Sequence, residues 1–273
     1  MVMRAPQPRD DRTMFFVIGA QKAGTTWLHA YLSDHPEVSM GPVKEYGWFT
    51  YLYPRLSDGP ALGAAAFRRW LARASILKRS GRSRGAALIG AALGQGDYAS
   101  LVAGDGRGRA FGDISPQYSI LGRAAFAAMA ACHPNTRFVF VMRDPVDRLW
   151  SQLRMDGRKG RADWQARWDR ATHLGRSDYR RTIGSLEAAV PGEDILYLFF
   201  EDLFTEGAIR SLCAHLGLTY VAPDFSEKVY EGVPAEADPG LLAAARARLA
   251  PVYEYIRDRF GNRVPETWDR AAA

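Results

Sequence analysis

The chain has little cysteine or histidine, and no acidic residue at all between Gly59 and Gly96. Its two cysteines lie in Ala130-Ala131-Cys132 and Leu212-Cys213-Ala214. A thiol among apolar residues behaves as a small hydrophobe, so two buried free thiols are expected. That number and spacing exclude a disulfide framework and a cysteine-based metal site. The histidines His29, His35, His133, His173 and His215 share no ligand spacing, so a zinc site is not expected and no metal is assigned. No stretch approaches the ~18 apolar residues of a membrane span. The start, Met1-Val2-Met3-Arg4-Ala5-Pro6, lacks the apolar centre of a secretory signal, which leads us to expect a cytoplasmic protein. Internal repeats and low-complexity segments are also missing.

What is present is positive charge. The 273 residues carry a formal net charge of +6, with a pI near 9.4. Such a balance favours anionic ligands without choosing among them. The length suits one domain, residues 1–273, and the 47% hydrophobic content is enough for an ordinary core. Residues 1–12 read as a flexible polar tail. The acid-free stretch holds Arg68, Arg69, Arg73, Lys78, Arg79, Arg82 and Arg84, with apolar residues at helical spacing. We read 55–97 as a basic helical insertion: either a solvated face or a cationic wall for an acidic partner.

The stretch that organises the rest runs from Phe15 to Leu28. Phe15-Phe16-Val17-Ile18 is an apolar run suited to a buried parallel strand. Gly19-Ala20-Gln21-Lys22-Ala23-Gly24 follows, then Thr25-Thr26-Trp27-Leu28 opens a helical pattern. Strand, glycine loop and helix together hold a phosphate, because unpaired N–H groups at the helix start point at the anion. Lys22 adds a full charge, and Thr25 and Thr26 add hydroxyl donors. The two glycines fit the nucleotide-binding pattern G-x-x-x-x-G-K-[ST], but Thr25 stands where that pattern has lysine. The misplaced lysine disfavours a kinase or NTPase.

A second anchor begins at the strand Arg137-Phe138-Val139-Phe140-Val141-Met142, which runs into Arg143-Asp144-Pro145. Pro145 starts a helix, and Ser151 lies two turns into it. Arg143 and Ser151 can hold one phosphate from two sides. Between the anchors, His35-Pro36 stops the first helix, and Lys44-Glu45-Tyr46-Gly47-Trp48-Phe49 forms a loop with one carboxylate among aromatics. Further strands are expected at Arg109–Ile114 and within Ile195–Leu203, where the strand reads I-L-x-L-x-x-E-D-L. Helices are expected at about Ala124–Cys132, Arg210–Leu218 and Leu241–Phe260, and a surface loop at 223–240.

These motifs resemble those of sulfotransferases that use PAPS, 3′-phosphoadenosine 5′-phosphosulfate. G-x-x-K-x-G-T-[ST] resembles the family's phosphosulfate loop, and Arg143-Asp144-Pro145-Val146-Asp147-Arg148-Leu149-Trp150-Ser151 resembles its 3′-phosphate motif. Lys44-Glu45-Tyr46-Gly47-Trp48-Phe49 is similar to the family's K-E-x-x-[FW]-F. Asp113, Ser115, Pro116 and Tyr118 fit a fourth pattern, in which Ile114 replaces a lysine. The resemblance spans Phe15 to about Leu218. It implies a P-loop-like α/β fold: three α/β/α layers, a mainly parallel sheet and a helical insertion. It implies that Lys22, Ala23, Gly24, Thr25, Thr26 and Trp27 hold the phosphosulfate of PAPS, leaving PAP as product. Arg143 and Ser151 would hold the 3′-phosphate, Glu45 would be the general base, and Lys22 would also be catalytic. The acceptor stays open: an acidic glycan, a lipid or a small metabolite each fit, and no nucleic acid is expected. The bias to Ala, Arg and Gly points to a bacterial source. Two other readings stand beside this one: a P-loop kinase or NTPase, and a non-catalytic basic binding protein on the same fold.

Overall fold

Seven consecutive buried residues, Thr13–Gly19, form strand β1 at the centre of the sheet. A strand with parallel neighbours on both sides and helices over both faces has nowhere to place a polar side chain, hence the run Met14-Phe15-Phe16-Val17-Ile18. The computed structural model describes residues 11–41, 43–55, 98–160, 165–226 and 236–269. The proposed insertion therefore lies outside the described residues, except for Arg55, which bridges Leu121. Residues 1–10 of the expected tail lie outside as well.

After β1 come α1 (Thr25–Asp34), β2 (Val38–Met40), α2 (Phe49–Leu52), α3 (Tyr98–Val102), β3 (Ala110–Ile114) and α4 (Arg123–Ala130). Then follow β4 (Thr136–Met142), α5 (Pro145–Arg158), α6 (Ala171–Gly175), α7 (Tyr179–Glu187), β5 (Ile195–Phe199), α8 (Glu206–Leu216) and α9 (Pro239–Phe260). The sheet order is β2-β3-β1-β4-β5, and every pair is parallel. Phe15 sits opposite Gly112 on one side and Arg137 on the other. The chain leaves β1 for one side of the sheet and later crosses to the other, so the crevice falls at the carboxyl ends of β1 and β4. Both sequence anchors end there.

The core is aromatic. Phe16 lies 5.6 Å from Phe138 and 6.1 Å from Tyr98, in stacked arrangements. Truncating such a ring to alanine costs about 3–5 kcal/mol. Helix α8 starts four residues before its expected start, because the Thr205 hydroxyl accepts from Ala208 N–H as an N-cap. It ends two residues early, at Gly217, which is left-handed at φ 69°. Helix α4 ends at Ala130 rather than Cys132, where the chain turns toward His133-Pro134. Helix α9 begins at Pro239, with Asp238 accepting from Gly240 N–H at 2.9 Å. Beyond it, Trp268 is buried against Tyr179, Phe199 and Tyr253.

Candidate active site

The loop after β1 leaves a row of backbone donors at the start of α1. Gly24 is the N-cap at φ 77°, and a β-carbon there would meet Leu203 at 2.6 Å, so only glycine fits. Leu28 N–H makes the first helical bond, to the Gly24 carbonyl. The N–H groups of Gly24, Thr25, Thr26 and Trp27 have no acceptor among the described residues. Ala23, expected to point its N–H at an anion, instead donates it to the Ala20 carbonyl at 3.1 Å. That bond closes the tight turn in which Lys22 is held at φ 76°. A non-glycine residue there is strained and persists only where its surroundings fix it.

Those surroundings come from the second anchor. The Arg143 guanidinium donates to the Lys22 carbonyl at 3.1 Å and lies 4.6 Å over the Phe200 ring. Its Nε is buried without a partner among the described residues. Arg143's own backbone is clasped by Tyr179, whose hydroxyl accepts from its N–H at 3.3 Å and donates to its carbonyl at 2.6 Å. Asp144 caps α5 by accepting from Val146 and Asp147 N–H, each at 2.9 Å. The Tyr253 hydroxyl of α9 donates to the same carboxylate. Burial pushes the pKa of Asp144 up to about 6 despite these donors.

One stripe of α5 faces the loop. Arg148 donates to the Gln21 carbonyl at 3.5 Å, and Lys22 Nζ lies 4.0 Å from Met155 Sδ. Ser151 sits between them, three residues after Arg148 and four before Met155, so it shares their face. The structure thus joins Arg143 to the Lys22 loop, and helix spacing puts Ser151 on the face of α5 that carries Arg148 and Met155. Arg148 itself is wholly buried, held by the Ser177 hydroxyl at 2.6 Å and the His173 carbonyl at 2.8 Å. Desolvation lowers its pKa to about 10. Burial also lowers the pKa of Lys22, and Arg143, Arg158, Arg154 and Lys159 lower it further. The site is strongly cationic, as anion binding requires.

Glu45 opens to solvent beside this loop, in a left-handed conformation at φ 59°. Desolvation raises its pKa, with a further push from Asp113, while Lys44 and Lys159 act the other way. It makes no ion pair among the described residues; Lys44 donates instead to the Thr26 hydroxyl at 3.1 Å. His35 is committed elsewhere. Its Nδ1 accepts from Glu37 N–H, and its Nε2 donates to the Thr219 carbonyl at 2.9 Å. Trp27 belongs to an aromatic ledge that sequence reasoning recognised only in part. It stacks on Tyr31 and on Phe225, with the edge of Phe204 5.2 Å away. Phe204 and Phe225 are each 39% exposed, which leaves flat apolar surface next to the row of free donors.

Among the described residues, no three His, Cys, Asp or Glu side chains gather so as to hold a metal ion, and no helix is long and apolar enough to cross a membrane. The human carbohydrate sulfotransferase 15 is 31% identical over 156 residues, covering 50% of this chain and 26% of that protein. The chain therefore spans about a quarter of that relative's length. A sulfotransferase from Alicyclobacillus acidocaldarius superimposes with a TM-score of 0.65 at 21% identity, covering 95% of this chain and 99% of that one. The two thus share their fold. The sulfotransferase domain of the Synechococcus PCC 7002 olefin synthase aligns at 16% identity, covering 93% and 99%, with a TM-score of 0.47. Residues 15–222, which include both anchors and the Glu45 loop, match the sulfotransferase family, and the chain is a member of it.

Proposed function

We propose that the protein transfers a sulfuryl group from PAPS to a hydroxyl or amine acceptor, releasing PAP. The observation that carries this reading is the Arg143–Lys22 contact, which fuses the two anchors into one cationic cradle. The residues present fit such a donor. Among the described residues, four N–H groups without an acceptor at a helix N-terminus suit a phosphosulfate-sized anion, and Arg143 Nε, buried without a partner, offers a donor for a phosphate. In this reading Gly24–Trp27 N–H groups and the Thr25 and Thr26 hydroxyls hold the phosphosulfate. Arg143 and Ser151 hold the 3′-phosphate, and the ledge of Trp27, Phe204 and Phe225 receives the base by stacking.

PAPS supplies the sulfuryl group. What remains for the protein is positioning and charge stabilisation, as in phosphoryl transfer. Lys22 offsets the negative charge that grows on the leaving phosphate oxygen. Glu45 takes the proton of the acceptor, and its raised pKa improves its strength as a base. The test is transfer of labelled sulfate from PAPS across a library of glycans, lipids and small metabolites. Turnover that needs PAPS supports the reading. Magnesium-dependent ATP hydrolysis would favour a kinase or NTPase, and salt-sensitive polyanion binding without turnover would favour a non-catalytic basic protein.

A further inference from the structure

Glu45 holds a backbone conformation that costs energy, so something must hold it. The residue is left-handed at φ 59°, and Gly47 is left-handed at φ 62°. Positive φ at a glutamate is uncommon and persists only when neighbouring groups over-determine it. The neighbours come from the end of β3. Asp113 is 1% exposed. Its carboxylate accepts from the Tyr98 and Tyr118 hydroxyls, each at 2.6 Å, and from the Ser115 hydroxyl at 2.7 Å. It also accepts the backbone N–H of Tyr46. Ser115, its proton given to Asp113, accepts the N–H of Gly47 at 3.0 Å.

The two peptide N–H groups that follow Glu45 are thus both tied to one buried carboxylate and the hydroxyl bonded to it. We propose that Asp113, acting with Ser115, is the positioning residue that sets Glu45 for its proton transfer. This rests on the reading of Glu45 as the general base.

A purely structural role explains the arrangement less well. A carboxylate buried without a cation is costly and gives nothing that an apolar residue in a core of this kind could not give. No cationic side chain pairs with Asp113 among the described residues. Its four donors come instead from three separate segments: Tyr98 of α3, Ser115 and Tyr118 just past the end of β3, and Tyr46 of the Glu45 loop. An acceptor with several lone pairs, fixed at a strand end, is what a loop with two adjacent N–H groups needs. The charge also acts on Glu45 through space. Lys44 from its own loop and Lys159 from the end of α5 face Glu45 as cations, and Asp113 is the opposing negative group.

The experiment is a double-mutant cycle of Asp113→Asn and Glu45→Gln, read by single-turnover transfer with saturating PAPS and an active acceptor. Asp113→Asn keeps the size but turns half of the acceptor into a donor. It should slow transfer roughly 10- to 100-fold, shift the rising limb of the pH–rate profile to lower pH, and leave PAP affinity within about twofold. In the Glu45→Gln background it should cost less than about twofold more, because the group it positions is already gone. Equal slowing in both backgrounds, with Glu45→Gln itself slow, leaves the base standing and overturns the role of Asp113. Glu45→Gln at the wild-type rate removes the base, and this proposal with it. If Asp113→Asn does not fold, Ser115→Ala replaces it in the same cycle. That variant removes only the acceptor for Gly47, with a loss of roughly 3- to 10-fold expected and the same non-additivity required.

Discussion

The guanidinium of Arg143 donates to the carbonyl oxygen of Lys22 at 3.1 Å, so a side chain of the second anchor fixes the backbone of the first. The two motifs lie 121 residues apart in sequence, yet neither is complete alone. Substituting Arg143 unties the loop and, in the proposed reading, also removes a phosphate ligand. The structural and binding consequences of Arg143 should therefore travel together.

The first prediction follows from that coupling. PAP should stabilise the protein much more than AMP, because only PAP carries a 3′-phosphate for Arg143 and Ser151. A ligand at about 100 times its Kd adds roughly 2.7 kcal/mol. In a chain of this size that is roughly 5–10 °C in Tm. Arg143→Ala should erase the difference between the two nucleotides. Equal shifts with AMP and PAP in the wild-type protein would remove the 3′-phosphate assignment.

Lys22 separates binding from chemistry. Its ammonium is half-buried against Met155 and ringed by Arg143, Arg154, Arg158 and Lys159. Other cations are thus present to hold an anion in the ground state. In the proposed reading, the particular task left to Lys22 is charge that appears only as the phosphate leaves. Lys22→Ala should lower kcat roughly 10²- to 10³-fold and change PAP affinity by less than about threefold. A variant that loses affinity but keeps the chemical step would reduce Lys22 to a binding residue.

How much of this was legible beforehand depends on where each contact comes from. Lys22, Thr25 and Arg143 stand at strand-to-helix turns and Ser151 two turns into α5, so local pattern alone makes them candidates for holding a phosphate. A mainly parallel sheet was equally legible, because β1, β4 and β5 are short and almost wholly apolar. Tyr179 and Phe200 were not visible as site residues. Tyr179 reaches Arg143 across 36 residues by gripping its backbone, and Phe200 acts as a flat surface under a guanidinium. Neither role leaves a residue-type signature. Glu201 likewise acts at a distance in sequence, accepting from Asp144 N–H at 3.0 Å and helping to set the start of α5. Asp113 read as one member of a motif, while its bonds to the Glu45 loop depend on sheet register and loop path.

His215 gives a pH dependence whose sign is fixed. Its Nε2–H donates to the Phe138 carbonyl at 3.1 Å. Burial lowers its pKa to about 4, with Arg137 adding to the shift. An unfolded histidine titrates near pH 6.5. Between about 6.5 and 4 the unfolded chain therefore binds a proton that the folded ring refuses. The stabilisation is full above about pH 6.5 and is lost as pH falls toward about 4. Asp144, raised to about 6, works in the opposite sense, since folding favours its protonated form as pH falls. That contribution is common to wild type and variant and cancels in a comparison. His215→Gln keeps a donor without the titration. Between pH 7 and pH 5 the wild type should lose about 1–2 kcal/mol more than the variant in denaturant unfolding. Parallel pH profiles would show that His215 does not titrate between the states.

The last prediction concerns Glu45, the proposed general base. A hydroxyl acceptor must lose its proton as the new sulfur–oxygen bond forms, and a carboxylate within hydrogen-bond reach can take it. Glu45 is available for this. Lys44 is engaged with Thr26, and no cation pairs with the glutamate among the described residues. The competing base, His35, has both ring nitrogens occupied, one accepting from Glu37 N–H and the other donating to Thr219. Freeing it would break two bonds of a buried turn, and its ring packs edge-on against Tyr31. Glu45→Gln preserves size and hydrogen bonding and removes only the basic oxygen. It should lower single-turnover transfer by ~10²- to 10⁴-fold. The Tm and the PAP-induced shift should stay close to wild type, because Glu45 makes no ion pair among the described residues. The pH profile supplies the second arm. Wild-type transfer should rise with pH through a pKa above the ordinary glutamate value, since desolvation and Asp113 raise it. The variant should show no such limb. A Glu45→Gln enzyme within a few-fold of wild type that retains the limb would sink the assignment, and His35→Gln would then be the substitution to make.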